Sequence, residues 1–172
     1  IMKVSAVTPD RYFTEAPIRV FNSQDAVKSA FKNGDFTTDT IIVVRFQGPQ
    51  ANGMPELHGL TPMLSVLQDK GLKIALVTDG RMSGASGKVP AAIHISPEAV
   101  VGGPLAKLQD GDIVRVDAIN GRIDVLNVGF DTRKPTKVDL SENGFGLGRE
   151  LFHLFRQNAA SASEGAGVFR FI

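Results

Sequence analysis

Two glycine-rich stretches contain most of the residues whose types could do chemistry. The first, residues 79–88, combines three glycines with two hydroxyls and two cations. Glycines let successive backbone N–H groups turn toward a ligand, and Arg81, Ser86 and Lys88 are predicted to hold a carboxylate or phosphate of an anionic substrate. The stretch is not a nucleotide P-loop, because Val89 stands where a magnesium-binding serine or threonine is needed. The same composition also suits a flexible turn.

The second stretch, residues 47–58, offers a possible metal ligand. It is rich in polar residues, glycine and proline, and Glu56 is its single carboxylate. Magnesium commonly takes only one or two carboxylates from a protein, so Glu56 could complete such a site, although a solvated surface glutamate is the alternative. The histidines His58, His94 and His153 lack metal-ligand spacing and are assigned no catalytic role, and His94 is predicted to be a hydrogen-bonded core histidine.

Both stretches follow short apolar runs that are typical of buried strands. Residues 40–46 and 72–78 are rich in β-branched and aliphatic side chains, as in strands covered on both faces. Between them, Thr61 and Pro62 predict the start of a helix and Gly71 its end. Ligands of α/β proteins bind at the carboxyl ends of such strands. If the two strands are neighbours, the two stretches face each other.

The remaining elements predict a mixed sheet. A strand at residues 18–21 precedes a helix that Ser23 can cap, and Asn120-Gly121 is a strong hairpin signal between period-two strands. A last helix is predicted from 148 to 158, with one apolar face formed by Leu147, Leu151, Leu154 and Phe155. The expected fold class is mixed α/β, with parallel and antiparallel strands curled into a barrel-like sheet and flanked by helices.

Composition sets limits on the function. The chain has 172 residues, 42% of them hydrophobic and 22% charged, with a formal net charge of +1 and no cysteine. One domain is expected, and this chain excludes disulfides, thiolate nucleophiles and cysteine-ligated clusters of its own. The scattered charges argue against a nucleic-acid partner, and the short apolar runs argue against a membrane segment. We therefore expect a cytoplasmic protein, and the apolar ends suggest a piece of a longer one.

Several strings resemble one enzyme family along nearly the whole chain. The strings are GMPELH at 53–58, VTDGRMSGASGKVPAAIHISPEA at 77–99, GGPLA at 102–106, DGDIVRVDA at 110–118 and GRELF at 148–152. Together they resemble the C-terminal domain of the dihydroxy-acid dehydratase and 6-phosphogluconate dehydratase family, and GMPELH is similar to its 6-phosphogluconate branch. The resemblance implies a swivelling β/β/α barrel, with residues 1–172 as the C-terminal domain of a longer two-domain dehydratase whose cluster-binding N-terminal domain is absent here.

The resemblance also implies a reaction. It is the removal of water from 6-phospho-D-gluconate to give 2-keto-3-deoxy-6-phosphogluconate in the Entner–Doudoroff pathway. Ser83 matches the proposed catalytic base of the family and Glu56 a magnesium ligand. The full-length enzyme, expected as a homodimer, would hold a 4Fe–4S iron–sulfur cluster outside this chain and Mg²⁺, and this chain alone would be inactive. The alternatives are a same-family dehydratase of dihydroxy or sugar acids, and a non-catalytic anion-binding module.

Overall fold

A mixed sheet organises the chain in the computed structural model, which describes residues 1–84 and 87–169. Within these residues its strands are β1 (Met2–Lys3), β2 (Phe13–Phe21), β3 (Thr40–Val44), β4 (Ile74–Thr78), β5 (Ala91–Ala92), β6 (Ile113–Asp117) and β7 (Arg122–Val125). They lie side by side in the order β1-β5-β4-β3-β2-β6-β7. The four central strands are parallel, whereas β1, β6 and β7 pair antiparallel with their neighbours.

Short helices connect and cover the strands. The α-helices are α1 (Gln24–Lys32), α2 (Pro49–Asn52), α3 (Thr61–Asp69) and α4 (His153–Gln157). Single 3-10 turns occur at Pro9–Arg11, Leu57–Leu60, Ala99–Val101, Pro104–Lys107, Phe130–Thr132, Ser141–Gly144 and Ala162–Glu164. None of the helices in the described part of the chain has the length and apolarity needed to span a lipid bilayer.

Strands β3 and β4 form the centre of the core, as their apolar sequences predict. Every residue of both strands is buried. Because side chains alternate along a strand, one face, with Ile42, packs with Val27 of α1 and Leu64 of α3. The other face, with Ile41, packs in a second cluster with Val114 of β6. The two site-bearing strands are therefore held rigidly on both sides.

The ends of the flanking helices confirm most of the capping predictions. Ser23 caps α1, since its hydroxyl accepts a hydrogen bond from the Ala26 N–H at 3.2 Å. Helix α3 lies between β3 and β4 as predicted, and Gly71 follows it with a φ of +91°. The cap prediction for Thr61 is wrong by one position, because Leu60 is the N-cap and the buried Thr61 hydroxyl has no hydrogen-bond partner.

The sheet is curled, which confirms the predicted barrel-like mixed α/β fold. Strand β2 pairs parallel with β3 through Ile18 to Phe21 and antiparallel with β6 through Phe13 to Pro17. The predicted hairpin at 120–121 joins β6 to β7. Strands β1 and β7 end the strand order on opposite sides, yet residues of both line one cavity of about 900 Å³. The sheet thus forms a half-barrel around this cavity.

The prediction for the last helix is wrong in length and in burial. Helix α4 covers only 153–157, and the expected core residues Leu147, Leu151 and Leu154 are 100%, 81% and 70% exposed. Gly146, Leu147 and Gly148 all have positive φ values, which an α-helix does not allow. The following backbone bonds, such as Leu151 N–H to the Gly148 carbonyl, span three residues and form turns instead of a longer helix.

Candidate active site

Two loops leave the carboxyl ends of β3 and β4 next to each other. The strands are parallel neighbours, with Val44 paired to Thr78 at their last positions. We call residues 45–56 the first site loop and residues 79–88 the second site loop. The prediction that the two glycine-rich stretches face each other is confirmed, because Glu56 and Arg81 form a parallel β-bridge between the loops.

A short ladder of hydrogen bonds joins the two loops around that bridge. The Leu57 N–H donates to the Arg81 carbonyl at 3.1 Å. In return, Nε of Arg81 donates to the Met54 carbonyl at 2.8 Å. Leu57 and Met82 are both buried, so an apolar side chain anchors each loop to the core beside this ladder. The side chains on the ladder therefore have a defined position relative to the sheet.

Glu56 and Ser83 are in direct contact. The Ser83 N–H donates to Oε1 of Glu56 at 2.8 Å, and the Arg81 guanidinium donates to Oε2 of the same carboxylate, also at 2.8 Å. The Glu56 side chain is 32% exposed, so the carboxylate remains accessible from one side. An exposed serine thus sits beside a fixed carboxylate and a cation at the edge of the parallel sheet.

Asp79 joins the two site loops through backbone hydrogen bonds, and sequence reasoning missed it. This fully buried carboxylate follows β4 directly and accepts backbone N–H bonds from Phe46 at 3.1 Å, Gln47 at 2.9 Å and Ala99 at 2.9 Å. Phe46 has a φ of +62°, an unfavourable conformation for a non-glycine residue that these bonds help to maintain. Asp79 therefore fixes the start of the first site loop to the start of the second.

Glu98 is a second buried carboxylate that the sequence analysis did not select. It is 2% exposed, and its two oxygens accept the N–H groups of Gln50 and Ala51, each at 3.1 Å. These donors belong to the single turn of α2, whose N-terminal N–H groups otherwise lack partners. A side chain at Gly48 would displace the Glu98 carboxylate, because a Cβ there would lie 2.2 Å from a Glu98 oxygen. In the sequence Glu98 lies between Pro97 and Ala99, where no hydrophobic periodicity marks the position as buried.

Burial raises the pKa of both buried carboxyls above their ordinary values, while their backbone hydrogen bonds act in the opposite direction. A carboxyl with a raised pKa in the folded state stabilises the fold below its unfolded pKa, and this contribution is lost as the pH rises through the folded pKa.

The free energy of unfolding of wild type relative to Glu98→Gln is therefore expected to fall as the pH rises above 4.5, the ordinary pKa for Glu98. Urea unfolding of the chain between about pH 4 and pH 8 measures this slope. Glu142→Gln, at an exposed glutamate, is the control. Equal slopes in wild type and Glu98→Gln would contradict a raised pKa at Glu98.

The structure brings only part of the predicted anion site together. Arg81 lies at the Glu56–Ser83 contact, whereas the Lys88 ammonium forms an ion pair with Asp69 at the end of α3. Ser86 lies outside the described residues. Of the three residues predicted to hold a substrate anion, Arg81 is the one that the structure places beside Glu56.

The histidines take three different environments. His94 is half-buried, donates its backbone N–H to the Gly80 carbonyl at 2.9 Å, and has a φ of +56°. Its pKa is lowered, mainly because burial disfavours the charged imidazolium and secondarily because the Arg81 guanidinium repels that charge. His58 lies in the 3-10 turn that follows the first site loop, and His153 is exposed on α4.

At this site the Glu56 carboxylate can supply one ligand to a divalent cation. Among residues 1–84 and 87–169, no group of three or more His, Cys, Asp or Glu side chains lies close enough to hold a metal ion. An ionised carboxylate has about four lone-pair sites, and only two donors to Glu56 are described above. Glu56 thus fits the role of a single ligand in a magnesium site completed elsewhere. A cysteine-ligated cluster does not fit this chain, which has no cysteine.

Comparison with known proteins gives consistent matches over the chain. The family model described as dihydroxy-acid/6-phosphogluconate dehydratase C-terminal matches residues 1–166. The chain is 58% identical over 170 residues to a phosphogluconate dehydratase of Rhizobium meliloti (strain 1021), a match that covers 98% of the chain and 28% of that protein. A phosphogluconate dehydratase of Escherichia coli (strain K12) is 51% identical over 99% of the chain and 29% of its own length.

A relative named for a different substrate is less similar to the chain in sequence. A dihydroxy-acid dehydratase of Acetivibrio thermocellus is 39% identical over 127 residues, which are 73% of the chain and 22% of that protein. In each of these matches the chain spans less than a third of the relative's length.

Proposed function

Because the chain belongs to the dihydroxy-acid/6-phosphogluconate dehydratase family, matching its C-terminal domain over residues 1–166, we propose that it acts as the C-terminal domain of a phosphogluconate dehydratase. The family resemblance read from the sequence strings is thereby confirmed. The proposed reaction is the loss of water from 6-phospho-D-gluconate to give 2-keto-3-deoxy-6-phosphogluconate. The observation that carries the proposal is the direct contact between Ser83 and Glu56 at the carboxyl edge of the sheet.

The reaction requires a base and stabilisation of negative charge. Removing the C2 proton, next to the carboxylate, builds enolate charge, and loss of the C3 hydroxyl as water leaves an enol that becomes the 2-keto acid. We assign the C2 proton to Ser83 in its alkoxide form. The hydroxyl formed in this way returns a proton to the departing C3 oxygen, so that water leaves and the alkoxide is restored. A serine is a weak base unless its alkoxide is stabilised, and Arg81, bonded to Glu56, brings positive charge to this edge.

Glu56 is the residue through which this chain would hold Mg²⁺. When bound, the ion would supply positive charge that stabilises the deprotonated sugar acid. The bonds from Ser83 and Arg81 orient the carboxylate before any ion binds. Such orientation by neighbouring donors is how protein metal ligands are commonly fixed.

Arg81 is the best-placed residue for an anionic group of the substrate. Its side chain is 51% exposed, and it uses Nε for Met54 and one terminal nitrogen for Glu56. A guanidinium has five N–H donors, so further donors serve a carboxylate or phosphate. For Lys88 to take part, its ion pair with Asp69 must first open. Ser86 is retained as a candidate on its sequence position alone.

The rest of the enzyme is assigned to polypeptide outside this chain. We propose that residues 1–172 form one domain and that an N-terminal domain supplies the cysteines of a 4Fe–4S cluster and the further magnesium ligands. The support is the absence of cysteine here and the greater length of the relatives. We further propose a homodimer located in the cytoplasm, where a phosphorylated and therefore membrane-impermeant substrate is made and used.

Substrate comparison with the full-length protein tests this function. We expect kcat/KM for 6-phosphogluconate to exceed that for gluconate by at least about a hundredfold, because an unfilled phosphate site leaves its donors unpaired. The 172-residue chain alone is expected to show no turnover. Preference for gluconate or for a branched dihydroxy acid would assign the protein to another dehydratase of the family. Phosphate binding without turnover of any of these acids would favour a non-catalytic anion-binding module.

A further inference from the structure

Lys3 is a buried cation that the proposed mechanism does not use. It belongs to the edge strand β1, where it pairs with Ala91 of β5, and it is 5% exposed. Its ammonium donates to the Gly87 carbonyl and, at 3.4 Å, to the Val89 carbonyl. These acceptors lie at the end of the second site loop, so a side chain anchored in the sheet fastens that end of the loop.

Ser5, two residues after Lys3, contacts the opposite side of the second site loop. The Ser5 hydroxyl donates to the carbonyl of Gly84, the residue that follows Ser83. Lys3 and Ser5 together therefore contact the backbone on both sides of residues 85–86. The loop is attached to the first residues of the chain as well as to Glu56.

The far end of the loop also packs tightly against α3. Gly87 has a φ of +57°, and a Cβ at this position would lie 2.3 Å from Cγ2 of Thr61. The loop therefore has little room to shift toward α3. Lys3 approaches the same residue from the β1 side, so Gly87 is held between strand and helix.

A buried ammonium needs hydrogen-bond acceptors, and Lys3 finds them in the backbone of the second site loop. A buried charge is costly unless hydrogen bonds compensate, and an ammonium offers three donors. Burial lowers the pKa of Lys3, because the ammonium gives up solvation by water at this position. A lysine whose role was only to cover apolar surface would instead keep its ammonium in water.

We propose that Lys3 and Ser5 are positioning residues for Ser83, fastening both sides of the second site loop to the N-terminal segment of this chain. The inference rests on the proposed function of Ser83, but the attachment of the loop can be tested without activity. Neither residue contacts the reacting atoms in this account. Their effect is to hold the Ser83 backbone where it meets Glu56.

Hydrogen exchange in the full-length protein tests the proposal. Lys3→Met keeps the length of the side chain and removes its donors. The Ser83 amide, which donates to Glu56, and the Leu57 amide, which donates to the Arg81 carbonyl, are expected to exchange about ten- to a hundredfold faster, the factor that corresponds to the loss of one charge-assisted hydrogen bond. Exchange in β3 and β4 should not change. The kcat for 6-phosphogluconate should fall by about tenfold or more while KM changes little, because the loop acts on the chemical step.

Lys107→Met is the matched control, since Lys107 also donates to a backbone carbonyl, that of Asp131 at 2.9 Å. It should leave both the loop amides and kcat unchanged. Ser5→Ala, a smaller change, should give a weaker effect in the same loop and keeps the test open if Lys3→Met does not fold. Unchanged loop exchange in a folded Lys3→Met or in Ser5→Ala would overturn the attachment. Faster loop exchange with unchanged kcat would overturn the positioning role, whereas an inactive wild type would refute only the proposed function.

Discussion

Ser83→Ala is expected to lower the turnover of 6-phosphogluconate by the full-length protein by about 10²- to 10⁴-fold, the range typical of a lost general base. The effect should fall on kcat, because the hydroxyl is assigned to proton transfer and not to binding. The hydrogen bond to Glu56 comes from the Ser83 backbone N–H and survives the substitution. Steady-state kinetics with 6-phosphogluconate measure the loss.

The control for this prediction is Ser29→Ala, at an exposed serine of α1. Its turnover should match wild type, and both variants should unfold at the wild-type urea concentration, because exposed hydroxyls contribute little to the core. Turnover of Ser83→Ala within a few-fold of wild type would remove the hydroxyl from the proposed mechanism and leave the loop as a binding element.

Asp79→Ala is expected to cost at least about 3 kcal/mol of unfolding free energy, because each buried N–H group left without an acceptor costs about 1–3 kcal/mol. The substitution leaves the buried N–H groups of Phe46, Gln47 and Ala99 without their acceptor. Asp79→Asn keeps one acceptor oxygen and should cost less. Urea unfolding of the 172-residue chain at neutral pH measures the difference.

Asp139→Ala is the matched control, because Asp139 also accepts a backbone N–H, from Ser141 at 2.9 Å, but at an exposed position. It should cost less than about 1 kcal/mol, since water replaces the lost acceptor. A loss at Asp79 as small as that at Asp139 would mean that the three buried N–H groups find other partners, and that Asp79 does not hold the site loops.

The parallel core and the facing loops could be predicted because their signals are local. The runs at 40–46 and 72–78 are apolar on both faces, which identifies buried neighbouring strands, and the residues after them then meet at one edge. Glu56 and Ser83 were selected by residue type, position and family resemblance. The structure adds that they are in contact.

The two buried carboxylates could not be predicted in this way. Asp79 bonds to N–H groups 20 to 33 residues away, and Glu98 to groups 47 and 48 residues away. No periodicity links a carboxylate to backbone donors at such distances. The loop contacts of Lys3 are equally remote, at 84 and 86 residues.

The last helix shows why an apolar period alone is insufficient. The residues at 147, 151, 154 and 155 have helical spacing, but two glycines in the left-handed conformation flank Leu147 and the backbone forms turns. The apolar side chains of this segment, including Phe152, remain exposed. Glycine at the start of a predicted helix was the contrary signal in the sequence.

A double-mutant cycle on Ser83 and Glu56 tests most directly whether the two loops act as one catalytic site. In the full-length protein, kcat/KM for 6-phosphogluconate is measured for wild type, Ser83→Ala, Glu56→Gln and the double variant at saturating Mg²⁺. We expect each single variant to lose most of the activity and the double variant to lose little more than the worse single, because residues that act as a unit are strongly non-additive. Losses that simply multiply, or a Glu56→Gln variant with wild-type turnover, would contradict a shared site.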